Sequence, residues 1–287
     1  RLAVHTLFRY RVGCWGEYVR IASSIINPIR KSSLWRSICF AADLCYSMAM
    51  MFTFETIGIV RSCFKEKFGI PRQPGLAPDA RAVLEFKSPY SRVENLQGLE
   101  DYSHIWILYV FHAAPPQPHK TKVRPPRLGG NRRVGVFGSR SYFRPNPIGL
   151  SVCALERLEI ARGHGRLLLK GVDILDQTPV IDVKPYLPYA DALPEARAGL
   201  APDPPPLLFK VYFSAAAEAA LMALPPAQRG ELRRLIDQVL RLDPRPAYAR
   251  RQTPRPSYGM RLARWDVRWE MRPQGIWVSD LIPTPEG

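Results

Sequence analysis

Ile105–Phe111 reads IWILYVF, seven apolar, β-branched and aromatic residues that suit a half-buried pleated surface and are too few for an ordinary helix. Outward from it the same texture recurs in Phe54–Arg61 (FETIGIVR), Ala82–Phe86, Val134–Phe137, Leu150–Leu158, Leu167–Leu169 and Val180–Val183, and Gly, Pro or Asn separates several of these runs. Few windows between them would hold a twelve-residue helix. The alternation of strand and amphipathic helix that a doubly wound sheet needs is therefore missing, and no GxGxxG follows a strand. The pattern predicts a mainly β fold in which residues 51–190 form a small antiparallel β-barrel.

From Tyr189 to Pro206 the composition shifts to Ala, Pro, Asp and Glu, as in a linker. A small α+β C-terminal domain is expected over 207–287. There Phe209, Val211 and Phe213 alternate as a strand, and Ser214 is placed to cap an Ala-rich helix running to Leu224. Leu232, Leu235, Ile236, Val239 and Leu240 recur at helical spacing up to the stop at Pro244. Trp265, Val267, Trp269 and Met271 alternate with polar residues and turn at Arg272–Gly275 into a hairpin with Ile276–Val278.

The 287-residue chain carries 41 Lys and Arg against 25 Asp and Glu, a formal charge of +16, so a polyanionic partner is expected, nucleic acid or an acidic membrane surface. Its five cysteines form no CxxC pair and no Cys/His set at zinc spacing. Neither a disulfide scaffold nor a structural metal is indicated, and reduced thiols in a cytoplasmic setting are expected. Residues 1–50 differ from the rest: they hold three of the cysteines, are rich in Arg, and contain only Glu17 and Asp43 as acids. Arg36 and Asp43 interrupt the apolar stretch Leu34–Phe52, which argues against a membrane span. An Arg-rich, acid-poor leader could be a transit peptide, but we read this segment as an N-terminal extension outside the functional protein, which is expected to start at Met50 or Met51.

Between Tyr102 and Leu155 there is no Asp or Glu, while Lys120, Lys122, Arg124, Arg127, Arg132, Arg133, Arg140 and Arg144 all fall there. Ordinary surfaces mix the two signs, so this segment creates a field suited to phosphates. Within it, residues 113–131 are expected to be a long loop with little regular structure and to contact RNA. The following SYFRPNPIGL (141–150) fixes φ at Pro145 and Pro147 around Arg144 and Asn146. That suits recognition of a planar base, and it equally suits a structural turn. In VDILDQTPVIDVKPY (172–186), Asp173, Asp176 and Asp182 lie on or beside strands, where a carboxylate must be paired. They could neutralise the basic loop, accept hydrogen bonds from a ligand's ribose hydroxyls and ammonium, or hold a metal, the last being the weakest fit because no His is near in sequence.

The segments EKFGIPRQPG (66–75), GLEDYSHIWILYVFH (98–112), VRPPRLGGNRRVGVFGSRSYFRPNPIGLS (123–151), VDILDQTPVIDVKPYLPY (172–189) and DPRPAY (243–248) closely resemble, in order, the TrmO (TsaA/YaeB-like) tRNA methyltransferases. The resemblance runs from about Phe52 to the C-terminus. It implies a β-barrel methyltransferase domain that binds S-adenosyl-L-methionine, forms a homodimer, and methylates N6 of threonylcarbamoyladenosine at position 37 in the anticodon stem-loop of tRNA(Thr). It also implies a cofactor pocket of Pro71, Arg72, Gln73, His112, Ala113, Arg140, Leu150, Asp173, Ile174, Leu175 and Asp176, with Ala113 departing from the polar residue of many relatives. Arg144, Asn146, Tyr186, Asp243, Arg245 and Tyr248 would face the target nucleotide. Lys120, Lys122, Arg124, Arg127, Arg132 and Arg133 would bind tRNA, and no metal is implied.

Methyl transfer from a sulfonium needs donor and acceptor in line, so acceleration would come mainly from positioning. A carbamoyl substituent makes the N6 proton more acidic; Tyr248 or Asp243 would take it, while Arg245 or Arg144 would hold the threonyl carboxylate. His112 and His104 are alternative bases, although a His in an apolar strand is more often a core residue. Two other readings stay open on sequence: an RNA-binding barrel without catalysis, and a methyltransferase acting on a small molecule.

Overall fold

The computed structural model describes residues 52–114, 120–129, 131–246, 249 and 257–285. From Glu55 onward these belong to one compact unit, to which the following refers. Residues 1–50 and Tyr248 lie outside the described residues.

The first part of the chain supplies β1 (Gly58–Ser62), β2 (Arg81–Phe86), β3 (His104–Val110), β4 (Lys122–Val123), β5 (Val134–Gly135), β6 (Ile148–Ala161), β7 (His164–Lys170) and β8 (Thr178–Pro185). All but β4 and β5 close a barrel in the order β1-β2-β7-β6-β3-β8, every neighbour antiparallel. Closure satisfies both edges of the sheet at once. Period-two alternation sends Val60, Leu84, Ile105, Ile107, Leu167, Leu169 and Val180 into the interior, where all are buried. β6 contributes small inward residues, Gly149, Ser151 and Cys153. The bulk opposite them is Tyr109, paired in register with Gly149; a Cβ on that glycine would lie 2.3 Å from the tyrosine ring. Large against small is how so narrow a barrel fills itself.

The second part forms a four-stranded sheet, β9 (Val211–Phe213), β10 (Tyr258–Leu262), β11 (Trp265–Arg272) and β12 (Gly275–Pro283), in the order β10-β11-β12-β9. Helices α1 (Ala215–Met222) and α2 (Pro226–Arg241) accompany it. Ser214 caps α1, its Oγ accepting from the Ala217 amide at 3.1 Å. On α2, Leu232, Leu235, Ile236, Val239 and Leu240 are buried, as their spacing predicts.

The two parts share one hydrophobic core. After β1 the chain runs into the second part: Phe64 bridges to Leu262, and the Ala263 amide donates to the Cys63 carbonyl at 2.6 Å. Phe68 then stacks on Trp269 with centroids 6.5 Å apart. Gly69, at φ +97°, sits against Met260, whose sulfur would be 3.1 Å from an added Cβ. Segment 64–70 is thus anchored in the C-terminal core before it delivers Pro71–Gln73 toward the barrel.

Three expectations change. The strand expected from Phe54 begins at Gly58, which has no room for a side chain, since a Cβ would lie 2.7 Å from the Glu85 carbonyl. The strand expected over Val134–Phe137 stops after Gly135 and becomes a 3-10 turn, Val136–Gly138. Of the loop expected over 113–131, the described stretch 120–129 is less irregular than expected, because β4 pairs with β5 and a 3-10 turn spans Pro126–Leu128. Among the described residues no helix is long and apolar enough to cross a membrane.

Candidate active site

The connection from β7 to β8 carries Asp173 and Asp176, and their carboxylates diverge. Ser151 Oγ donates to Asp173 Oδ1 at 2.6 Å, and Tyr109 Oη lies 3.3 Å from the same Ser151 oxygen. Burial pushes the Asp173 carboxyl up to about 6, against the opposing pull of the Ser151 hydrogen bond and the Arg140 charge. Asp176 instead clips the connection to β1: its Oδ1 accepts from the Ser62 amide at 2.8 Å, and its Oδ2 meets Lys65 Nζ at 2.9 Å. Between them Ile174 is buried, and the Leu175 carbonyl accepts from Thr178 Oγ1 at 2.7 Å. Asp173–Asp176 therefore offers a ligand one partly buried carboxylate and backbone, rather than two equivalent acids.

Around this connection, Gln73 Oε1 accepts a hydrogen bond from Arg140 Nη1, and the Ala113 carbonyl accepts one from Lys67 Nζ. Pro71 is buried, and Arg72 is exposed and engaged with neighbours. His112 is exposed; partial desolvation and then the Lys67 charge lower its pKa, while Asp176 works the other way.

On the outer face of β3 and β6 lies a cavity of about 390 Å³ lined by Pro74, His104, Trp106, Arg140, Leu150, Val152, Tyr186 and Asp191. Trp106 Nε1 donates to Asp191 Oδ2 at 3.0 Å, which fixes the indole plane. The Tyr186 ring lies 5.9 Å from that of Trp106 and 6.3 Å from that of His104. His104 is exposed on the rim, not a core histidine. The cavity unites Arg140 and Leu150 with Tyr186, three residues expected on different sides of a transfer reaction. A larger cleft, about 1000 Å³, separates the barrel from α2 and β10–β11 and takes in Asp176, Lys65, Arg261 and Arg264.

Several expected residues are already engaged. Arg144 Nη1 donates to the Ser139 carbonyl at 2.6 Å and to Val136 at 3.4 Å, and its guanidinium covers Phe137 at 5.5 Å. It braces the turn before β6, as the structural-turn reading allows. Asn146 is exposed next to it, its carbonyl accepting from the Ile148 amide at 2.8 Å. Asp243 and Arg245 hold each other in a two-pronged pair at 2.8 and 3.1 Å, with exposures of 1% and 6%. Each is thus engaged by the other, a buried pair held together by the penalty of exposing either charge alone. Lys120, Lys122, Arg124, Arg127, Arg132 and Arg133 are all exposed and, among the described residues, none forms an ion pair with a carboxylate. Arg127 donates to the Asp203 carbonyl, and Lys120 lies over the Phe143 ring.

The tRNA-methyltransferase O N-terminal domain model matches residues 59–192, and the TrmO C-terminal domain model matches residues 206–284. The chain belongs to the TrmO family. Within that family it is 50% identical over 235 residues to a putative S-adenosylmethionine-dependent methyltransferase RcsF of Pseudomonas aeruginosa, covering 81% of this chain and 98% of that protein. It is 44% identical over 232 residues to the tRNA (adenine(37)-N6)-methyltransferase of Escherichia coli, covering 81% and 98%. A crystal structure of TrmO from Pseudomonas aeruginosa superposes with a TM-score of 0.66 at 42% identity, covering 82% of this chain and 99% of that one. Sequence reasoning passed over the polar residues inside the TrmO barrel, Tyr109 and Ser151. The signal was present: both fall in the inward register of apolar strands, where a hydroxyl needs a partner.

Proposed function

We propose that this chain is an S-adenosylmethionine-dependent tRNA (adenine-N6)-methyltransferase acting at position 37. The single observation that carries the reading is the outer cavity of β3 and β6, where Arg140 and Leu150 meet Tyr186 and Trp106, and where Arg140 also acts on the Asp173 carboxyl. The residues present suit the cofactor. A partly buried carboxylate with one oxygen held by Ser151 can receive an ammonium or ribose hydroxyl on the other, and apolar and aromatic walls suit adenine. When bound, the cofactor supplies an electrophilic methyl group on a sulfonium.

The chain's own part is positioning. Asp173 and the backbone of Pro71–Gln73 hold the cofactor, with Arg140 braced by Gln73, Leu150 as a wall, and His112 and Ala113 closing the side near Lys67. Asp176 keeps the connection in place through Ser62 and Lys65. Tyr186 and Trp106 bound the adenine, while Asn146 and the turn braced by Arg144 border it. Asp243 and Arg245 stiffen the start of the DPRPAY segment, which leads to Tyr248. The exposed cations from Lys120 to Arg133 track tRNA phosphates near the anticodon loop.

The preferred substrate is threonylcarbamoyladenosine in tRNA(Thr), whose carbamoyl group acidifies the N6 proton and whose threonyl carboxylate suits an arginine. The working form is a homodimer in the cytoplasm, with Leu150 (48% exposed) and Ile148 (36% exposed) on the outer barrel face as contact residues. Initial rates on a tRNA(Thr) transcript before and after threonylcarbamoylation test the substrate. A rate confined to the modified transcript is expected; equal rates would remove the carbamoyl group from the account, and methylation of a free metabolite in preference to either would remove tRNA.

A further inference from the structure

Tyr109, Ser151 and Asp173 form a hydrogen-bonded chain from the barrel core to the candidate cofactor site. Tyr109 and Ser151 are 5% and 1% exposed, so neither hydroxyl has water as its main partner. Ser151 has a single proton, and its 2.6 Å contact with a carboxylate oxygen directs that proton to Asp173 Oδ1. The Ser151 oxygen is then left to accept from Tyr109 Oη, 3.3 Å away. The donor direction is therefore fixed along the whole chain, toward the carboxylate.

The barrel is built to permit this. Tyr109 crosses to its neighbour strand over Gly149, where any Cβ would collide with the ring, and Phe111 packs edge-on against it at 5.3 Å. Two buried hydroxyls in line on one carboxylate are more than packing requires, since Phe and Ala would fill the same space without polar atoms to satisfy. We propose that Tyr109 and Ser151 are positioning residues for the cofactor: they hold Asp173 ionised and fix its orientation, leaving its second oxygen for the ligand.

This rests on the reading that Asp173 meets S-adenosylmethionine. The groups facing Asp173 are Tyr109 on β3, Ser151 and Cys153 on β6, and Arg140 from the turn before β6. Burial works against the anion and the neutral Cys153 thiol does not support it; Ser151 and Arg140 do, with Tyr109 acting through the Ser151 oxygen it meets. Without the serine hydroxyl, protonation of Asp173 moves to higher pH.

The test is calorimetric titration of S-adenosylmethionine into the full chain between pH 5.5 and 9, for the wild type, Ser151→Ala, Tyr109→Phe and Asp173→Asn. Wild-type affinity is expected to fall as the pH drops through the region near 6. In Ser151→Ala that midpoint moves up and binding near pH 7 weakens about tenfold, as for loss of a hydrogen bond to a charged group. Tyr109→Phe, which keeps the ring, shifts it the same way by less, and both variants recover toward wild type at pH 9. A merely structural role would leave the midpoint unmoved. Wild-type midpoints in both variants overturn the inference if Asp173→Asn has lost binding. Wild-type binding by Asp173→Asn overturns the reading beneath it.

Discussion

Replacing Arg132 and Arg133 together by alanine should change how salt affects tRNA binding more than it changes anything else. Both side chains are exposed, neither is paired to a carboxylate among the described residues, and neither lines the cavity beside Asp173. Six such cations lie between Lys120 and Arg133. If each neutralises one phosphate, log K falls against log salt with a slope of roughly −4 to −5, at about 0.7–0.9 per contact. Between 50 and 200 mM salt that is a loss of roughly 300- to 2000-fold, and with four contacts it shrinks to about 50- to 150-fold. Fluorescence anisotropy of a labelled anticodon stem-loop across this salt range measures both slopes. S-adenosylmethionine affinity, taken in parallel, should match wild type. A double variant with an unchanged slope would refute the assignment of these arginines to phosphate contacts, whatever happened to the absolute affinity.

Other expectations follow from the same geometry. Asp243→Asn leaves the Arg245 guanidinium buried without its counter-charge, and denaturant unfolding should register a loss of about 3–5 kcal/mol. Asp173→Asn should stabilise the protein at pH 8 on the order of 3 kcal/mol while removing cofactor binding. Its folded pKa, about 6, is raised from 3.8, so the stability linked to its protonation is complete below about 3.8 and lost as pH rises through 6. Unfolding midpoints of wild type and variant should therefore converge toward pH 4, separate between about pH 4 and 6, and stay apart by a constant amount above that. Gly149→Ala forces a Cβ into the Tyr109 ring, and thermal unfolding should show an overpacking penalty of about 1–3 kcal/mol.

Much of the architecture is written locally. The inward periods of β3 and β7 and the helical spacing of Leu232, Leu235, Ile236, Val239 and Leu240 are visible because burial on one face imposes a repeat on the chain. Strand ends are less legible. Where β1 begins depends on Gly58 approaching the Glu85 carbonyl of the neighbouring strand β2, a contact with no trace in nearby residues. The short β4–β5 ribbon hides for a similar reason, because pairing of two residues across a proline-rich loop leaves no alternation to detect.

The site divides along the same line. Lys120, Lys122, Arg124, Arg127, Arg132 and Arg133 stand out in sequence by the acids missing around them, and they are exposed in the fold. Asp173 and Asp176 look alike in sequence. Only the closing of the barrel separates them, sending one carboxylate to Ser151 and the other to the Ser62 amide and Lys65. Asp243 and Arg245 read in sequence as a proton acceptor and a carboxylate clamp, and nothing there shows that they turn onto each other, with Asp243 at φ +53°. Charge density is a property of composition, whereas partnership is a property of the closed fold.

The most direct measurement uses methyl-labelled S-adenosylmethionine and threonylcarbamoylated tRNA(Thr), followed by nuclease digestion and mass analysis of the anticodon-loop fragment. Label on N6 of the nucleoside at position 37 is the predicted result. Label on another base, or tRNA recovered without label while the protein binds the cofactor, would contradict it.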